Sequence, residues 1–512
     1  MPNIRFTILL LLCAALAACS PAQSPQAVAP TNTAAPPTSA PTDVPTVAPT
    51  SMPTAAHATV APFTNSARLP LRPPTQDSIG DPYYPQLGNG GYDVQHYALE
   101  LAVDVEHNVI TSTATIAARA TADLRAFNLD LLGLSVDRVA VNAAPVSVQR
   151  TEHELTITPM AALHAGQPFT TTVAYHGTPE PFVSEAAPIS VGWTQYDGGI
   201  YVASEPEGAS TWYPVNDHPL DKATYSMRVT VPKPYVVAAN GLLQQTIDNG
   251  ATTTYVWATA HPLASYLVTV DIARYKVETA TGPNGLPIRN YFPAEIADQA
   301  HAVFAPTADM IAYFSSVFGP YPFEAYGVAV IDKNLGFAME TQTMSVFGRD
   351  AATQPPNQAE DVVAHELAHQ WFGDSVSLDT WQDIWLNESF ATYAAWLWSE
   401  HELGPGSADH IARRTYMQLA QMNLPPTGDP PPTDLFNTGV YERGALVLHA
   451  LRLTIGDEAF FRTLRTYAAR FRDGNASTPD FVAVAEQVSG QNLDAFFDNW
   501  LYGAKLPPLP PS

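Results

Sequence analysis

His365-Glu366-Leu367-Ala368-His369-Gln370, followed downstream by Trp385-Leu386-Asn387-Glu388, is the part of this chain from which both fold and chemistry can be read. Two histidines four residues apart lie on one face of a helix, so both imidazoles can reach a single metal ion while Glu366 points at the same region. Apolar residues at helical spacing lead in after Pro355-Pro356, and Gly373 follows Trp371-Phe372 as a stop signal. That spacing predicts a helix with both histidines in its middle. A second helical pattern over residues 383–403 ends at Gly404-Pro405 and carries Glu388 in its first turns. Catalytic zinc usually takes three protein ligands and keeps a fourth position for water, and two histidines with a glutamate form one such set. The pattern therefore points to one Zn2+ held by His365, His369 and Glu388, with Glu366 left over as the general base. An exposed polar helix face would give the same spacing, but Trp, Phe, Leu and Ala flank every one of these residues, as in a buried element.

The wording of the motifs carries a resemblance. His365-Glu366-Leu367-Ala368-His369-Gln370-Trp371-Phe372-Gly373-Asp374 and Asp383-Ile384-Trp385-Leu386-Asn387-Glu388 are preceded by Gly336-Phe337-Ala338-Met339-Glu340-Thr341 and followed by Tyr441-Glu442-Arg443-Gly444. Four motifs in this order resemble the aminopeptidase N and leukotriene hydrolase family of gluzincin zinc metallopeptidases. Weaker likeness at Tyr92-Asp93-Val94-Gln95-His96-Tyr97 and from Glu205 to Lys222 extends the resemblance over about residues 80–510.

The resemblance implies roles. Tyr441 matches the family's tyrosine, whose phenol would stabilise the oxyanion of the tetrahedral intermediate. An exopeptidase must also fix a free N-terminal ammonium with carboxylates near the metal. Glu340 matches the family's amine-binding glutamate, and Gly336, Ala338 and Met339 belong to the same substrate-binding segment. Thr341 stands where the family has asparagine, so one hydrogen bond to the substrate backbone is in question. Glu205 matches the second amine-binding position, and Glu207 competes with it if the loop aligns two residues differently.

The N-terminal region points to where this chemistry happens. Arg5 and the apolar run 6–18 read as a signal peptide over residues 1–18, and Leu16-Ala17-Ala18-Cys19 looks like a bacterial lipobox with Cys19 as the lipidated residue. The expected location is the bacterial cell envelope, outside the cytoplasm, with a lipid anchor in the membrane. Cys13 and Cys19 are the only cysteines, so the processed chain forms no internal disulfide and offers the metal no thiolate. Residues 19–78 are dominated by Pro, Thr, Ala and Ser and read as a disordered linker. Fully extended at about 3.1 Å per residue, some 50 such residues would reach up to roughly 150 Å.

Alternating apolar patterns such as Tyr97-Ala98-Leu99-Glu100-Leu101 predict an all-β N-terminal domain over residues 79–275, saddle-like in the family. Longer helical patterns after residue 276 match the family's thermolysin-like catalytic domain, α/β and mainly α, over residues 276–512. Larger family members continue into a helical domain that caps the active-site cavity, whereas this sequence ends in a Pro-rich tail, so a more open cleft is expected. A formal charge of −25 disfavours nucleic acid and anionic surfaces as partners. The reading that results is a zinc aminopeptidase acting on peptides with a free N-terminus. Its rivals are an endopeptidase or other zinc hydrolase using an open cleft, and a scaffold that kept the fold without catalysis.

Overall fold

The computed structural model describes residues 63–65 and 67–511. The signal segment, Cys19 and the linker up to residue 62 lie outside the described residues. The N-terminal domain is β throughout, as its alternation predicts. Tyr92–Asp104 buries every other side chain along most of its length, with a register shift between Val94 and His96. It pairs antiparallel with Val109–Ala120 and parallel with Thr224–Pro232 inside an eight-stranded sheet. A second sheet of five strands includes Ser190–Tyr196 and Gly199–Ala203, and its loop beyond Ala203 carries Glu205. The fully buried rings of Trp193, Trp212, Tyr97, Tyr213 and Tyr225 fill the core of this domain.

The catalytic domain opens with another five-stranded sheet, in the order Tyr275–Thr281, Pro287–Pro293, Tyr326–Ile331, Ser345–Gly348 and Ala338–Met339. The two-residue strand Ala338–Met339 is the edge. Helices follow, and two of them set the site. Pro356–Ala368 starts with proline in its first turn, where the missing N–H costs nothing. Trp385–Leu403 is buried on all sides through Trp398 and stops at Gly404, whose φ of +100° suits glycine. Phe372, Phe390 and Phe481 wedge between these helices and their neighbours, with ring centroids 4.9 and 5.0 Å apart. Aromatic contacts of this kind are worth about 0.5–1.5 kcal/mol each beyond the area they bury.

Two expectations require correction. The first metal-site helix ends at Ala368, so His369 sits at its C-terminal cap and not in mid-helix. The chain tightens there because Gln370 and Trp371 bond to Leu367 and Ala368, three residues back, which sends Trp371 and Phe372 into the core. The linker also ends earlier than residue 78. Phe63 is buried against Phe497 and Tyr502, and Asn65 donates to Asp498. Arg68 grips the buried Asp383 through two hydrogen bonds of 2.7 and 3.3 Å. Gln382 holds the backbone of Ala67 and Leu69. These side chains find partners hundreds of residues away, which is why a Pro-rich composition did not keep the segment free.

Several bonds lock the two domains together. Lys222, on the β domain, donates to the carbonyls of Asp374 and Ser375 at 2.7 and 3.1 Å, immediately beyond the metal-site helix. Asp81 is fully buried and accepts from the backbone N–H of Tyr83, Tyr84 and Trp381 at 2.7 to 3.0 Å, with His218 Nε2 at 3.1 Å. Burial works against the Asp81 charge, but His218 and the amides outweigh it and hold the pKa below the usual 3.8. Its contribution is therefore complete above pH 3.8 and is lost as pH falls through the lower folded value. Asp81→Ala is expected to reduce unfolding free energy at neutral pH by about 3–5 kcal/mol, because it strips a buried charge network of its centre. Urea titration at pH 7 and at pH 3 measures this; a difference under about 1 kcal/mol at pH 7 would contradict it.

Candidate active site

The Pro356–Ala368 helix and its cap deliver His365 and His369, and the first turn of Trp385–Leu403 delivers Glu388. Their ligand atoms converge: His365 Nε2 is 3.1 Å from His369 Nε2, and Glu388 Oε2 lies 3.3 and 3.5 Å from the two nitrogens. His369 Nδ1 is 3.0 Å from the carbonyl oxygen of Phe372 and must donate to it. That bond commits Nδ1 as a donor and leaves Nε2 as the nitrogen available to a metal. Gly373 allows the turn, with φ of +129°, and a Cβ there would come within 3.2 Å of His369 Nδ1.

Two imidazole nitrogens and a carboxylate within about one ion's reach form a donor set that suits zinc. Electrostatics agree. Burial opposes a charge on His369, yet Glu388 and Glu340 outweigh it and hold this imidazole well above its ordinary pKa. Burial also opposes charge on Glu388, but His369 and His365 pull its carboxyl down. Burial first, then the neighbouring carboxylates, push Glu205 far up, and burial does the same to Glu366 against the pull of His369. Four glutamates thus share one pocket with two histidines, an environment that a dication balances. The chain's own residues fit one Zn2+ held by His365, His369 and Glu388.

Glu366 is buried beside these ligands, as the sequence spacing requires. Tyr441 reaches the site from a π-helical turn, Gly439–Arg443, and its ring stacks on His365 with centroids 5.8 Å apart and planes 15° from parallel. The turn is pinned to the Glu388 helix. Ser389 donates to Val440 O at 2.6 Å, and a Cβ on Gly444 would fall 1.7 Å from Ser389 Oγ, so only glycine allows this approach. Arg443 bonds the carbonyls of Trp500 and Gly503 and ties the turn to the end of the domain. Burial and then the carboxylates Glu388, Glu205, Glu340 and Glu366 push the Tyr441 phenol well above 10, which keeps it a hydrogen-bond donor.

Glu205 and Glu340 enter from opposite sides. One carboxylate oxygen of each lies within 4.8 Å of the other and of Glu388. Oε1 of both is buried without a hydrogen-bond partner. Of the two candidates, Glu205 lies beside Glu340 and Glu388, whereas Glu207 accepts from Ser184 at 2.9 Å. Ala338 and Met339 form the edge strand leading into Glu340, paired with Phe347 and Val346 on one side only. Gly336 lies in the exposed loop before it, its N–H bonded to Asp350. Thr341 is fully buried and gives its hydroxyl to Met344 O, closing its own turn. Its one hydroxyl proton is engaged there and is not free to donate to a substrate backbone.

Sequence reasoning passed over Gln370 and Tyr266. Both are fully buried, and Tyr266 places its hydroxyl 3.3 Å from Asn387 Nδ2, next to Glu388. Gln370 follows the second histidine directly, the one signal that could have marked it.

A two-domain protein with this site is a metallohydrolase, and comparison with known proteins narrows the class. Residues 93–267 match the Peptidase M1 N-terminal domain and residues 304–500 the Peptidase family M1 domain. Glutamyl aminopeptidase of Bitis rhinoceros is 26% identical over 328 residues, covering 59% of this chain and 34% of that protein. Aminopeptidase N of Streptomyces lividans is 28% identical over 338 residues, covering 61% of this chain and 39% of that protein. The chain therefore spans about a third of the length of these curated relatives. Among solved structures, a point mutant of an M1 zinc metallopeptidase from Deinococcus radiodurans bound to a Tyr-Ser-Ala substrate is 33% identical. Its TM-score is 0.78, with 85% of this chain and 99% of that chain covered. A two-domain M1 zinc metallopeptidase mutant bound to L-tryptophan is 34% identical with a TM-score of 0.79, covering 85% and 100%.

The chain belongs to the M1 family of zinc metallopeptidases. The purified protein is expected to carry one zinc, and Glu388→Ala to weaken zinc binding by about 10- to 100-fold or more, since it removes a charged ligand. Metal analysis during titration with a chelator measures this; equal retention by both proteins would place the metal elsewhere.

Proposed function

We propose that this protein is an aminopeptidase that removes N-terminal residues from peptides. The observation that carries the reading is the pair Glu205 and Glu340, buried, without hydrogen-bond partners on Oε1, and beside the metal ligands. Two such carboxylates are costly to bury unless something cationic arrives, and a substrate ammonium is the group of matching charge and donor number. The backbone of an internal segment offers N–H donors but no ammonium to neutralise them, which disfavours the endopeptidase reading. A scaffold would have no use for ligands, base and phenol all in place.

Each residue then has a task. Glu205 and Glu340 hold the ammonium, and the free edge of Ala338–Met339 can accept the substrate backbone as an added strand. Zinc, when bound, polarises the scissile carbonyl and acidifies the attacking water. Glu366 takes the proton from that water and passes it to the leaving amine. Tyr441 donates its phenol proton in a hydrogen bond to the oxygen on which charge develops.

Glu366→Gln is expected to lower kcat by about 10²–10⁴ with zinc retained, the range a positioned general base contributes. Glu340→Ala should act mainly on KM, raising it about 10- to 100-fold, the worth of a charge-assisted hydrogen bond. Steady-state kinetics on Ala-Ala-Ala measure both variants. A Glu340→Ala enzyme with unchanged KM would contradict the assignment.

Residues 1–19 support a further proposal from sequence alone, that the protein is lipid-anchored through Cys19 at the extracytoplasmic face of a bacterial membrane. No helix among the described residues is long and apolar enough to cross a membrane. Cys19→Ala is expected to shift the expressed protein from the detergent phase to the aqueous phase on phase partitioning and to abolish incorporation of labelled palmitate. Unlabelled wild-type protein would refute the anchor.

A further inference from the structure

Glu340 ends a two-residue edge strand, a weak mount for a carboxylate that has to meet a substrate amine within hydrogen-bond distance of a fixed point. The turn that follows explains how it is held. Gln370, the residue directly after His369, donates from Nε2 to the carbonyl of Glu340 at 3.0 Å and accepts at Oε1 from the N–H of Thr343 at 2.9 Å. One side-chain amide thus spans both ends of the turn. Its orientation is fixed by chemistry, because a carbonyl can only accept and an N–H can only donate. Gln370, Thr341 and Thr343 are fully buried and Glu340 nearly so, so water does not compete for these bonds.

The opposite side of the turn is held by the β domain. Asn240 Nδ2 donates to Gln342 O and the N–H of Gly241 to Thr343 Oγ1, both at 2.7 Å. Thr343 sits at φ of +68°, a conformation a non-glycine residue keeps only where its surroundings dictate it. The carboxylate is therefore positioned from two directions, and only one of them runs to the metal ligands.

We infer that Gln370 is a positioning residue for amine recognition: it ties the backbone of Glu340 to the residue next to His369 and so sets the separation between the metal and the substrate's N-terminus. This inference rests on the aminopeptidase reading and adds to it the part that carries the register. Gln370 touches neither metal nor substrate. Removing its amide should loosen Glu340 while leaving His365, His369 and Glu388 in place.

The test uses two inhibitors that differ only in the amine, leucine hydroxamate and its analogue lacking the α-amino group, on the zinc-loaded full protein. In the wild type the amine tightens binding, and the ratio of the two inhibition constants reports that contact without turnover. Gln370→Met, close in volume, is expected to reduce this ratio by about 10-fold while leaving the constant for the amine-free compound and the zinc content unchanged. Gln370→Glu, which keeps the acceptor for Thr343 but faces Glu340 O with an oxygen, should reduce it as well, and decides the matter if the methionine variant fails to fold. Equal weakening of both inhibitors, loss of zinc, or an unchanged ratio in both variants would overturn the inference. A wild-type ratio of one would instead sink the amine reading itself.

Discussion

Four carboxylates, Glu205, Glu340, Glu366 and Glu388, are buried in one pocket against two histidines, and the structure is built around the cation this demands. Like charges in a poorly solvated space repel strongly, and ordinarily such groups would take up protons and lose their chemistry. A dication held by His365, His369 and Glu388 offsets part of the repulsion and leaves the remaining three carboxylates with different work. Glu366 is next to the metal ligands and can exchange protons. Glu205 and Glu340 lack partners on Oε1 and wait for a charge from outside. Metal binding, proton transfer and amine recognition are in this sense one electrostatic arrangement.

Holding that arrangement requires both domains. Glu205 comes from the β domain, and the Glu340 turn is gripped by Asn240 and Gly241 from that domain and by Gln370 from the metal side. Lys222 fixes the chain beyond His369, and Asp81 joins His218 to the backbone of Trp381 just before the Glu388 helix. The aromatic wedge of Phe372, Phe390 and Phe481 sets how the two metal-site helices pack. Mutations at the junction are therefore expected to reach the site even when they contact no substrate.

How much of this could be read from the sequence follows from how local each feature is. The His365 and His369 pair was legible because helical spacing decides which side chains share a face, and Glu388 joined it because zinc accepts a His, His, Glu set. Tyr441 and Glu340 were reachable only by resemblance, since nothing local distinguishes them from other tyrosines and glutamates. The π-helical turn that presents Tyr441 left no readable signal, and neither did the need for Gly444, which is set by Ser389 on another helix. Glu205 and Glu207 could not be separated by spacing, because what distinguishes them is tertiary: Ser184 engages Glu207, and Glu205 lies beside Glu340 and Glu388. Residues 63–78 read as linker because composition speaks of the unfolded chain, while the partners of Asn65 and Arg68, Asp498 and Asp383, are remote in sequence.

The most direct test of the account is a mass-spectrometric time course on one peptide and its N-acetylated twin, incubated with the zinc-loaded protein and with Glu366→Gln as control. The account predicts that the free peptide shortens one residue at a time from its N-terminus, that the acetylated twin stays intact, and that the variant does neither at a comparable rate. Cleavage of the acetylated peptide at a similar rate, or first products cut internally, would contradict it, because the buried pair Glu205 and Glu340 would then not be reading a free amine.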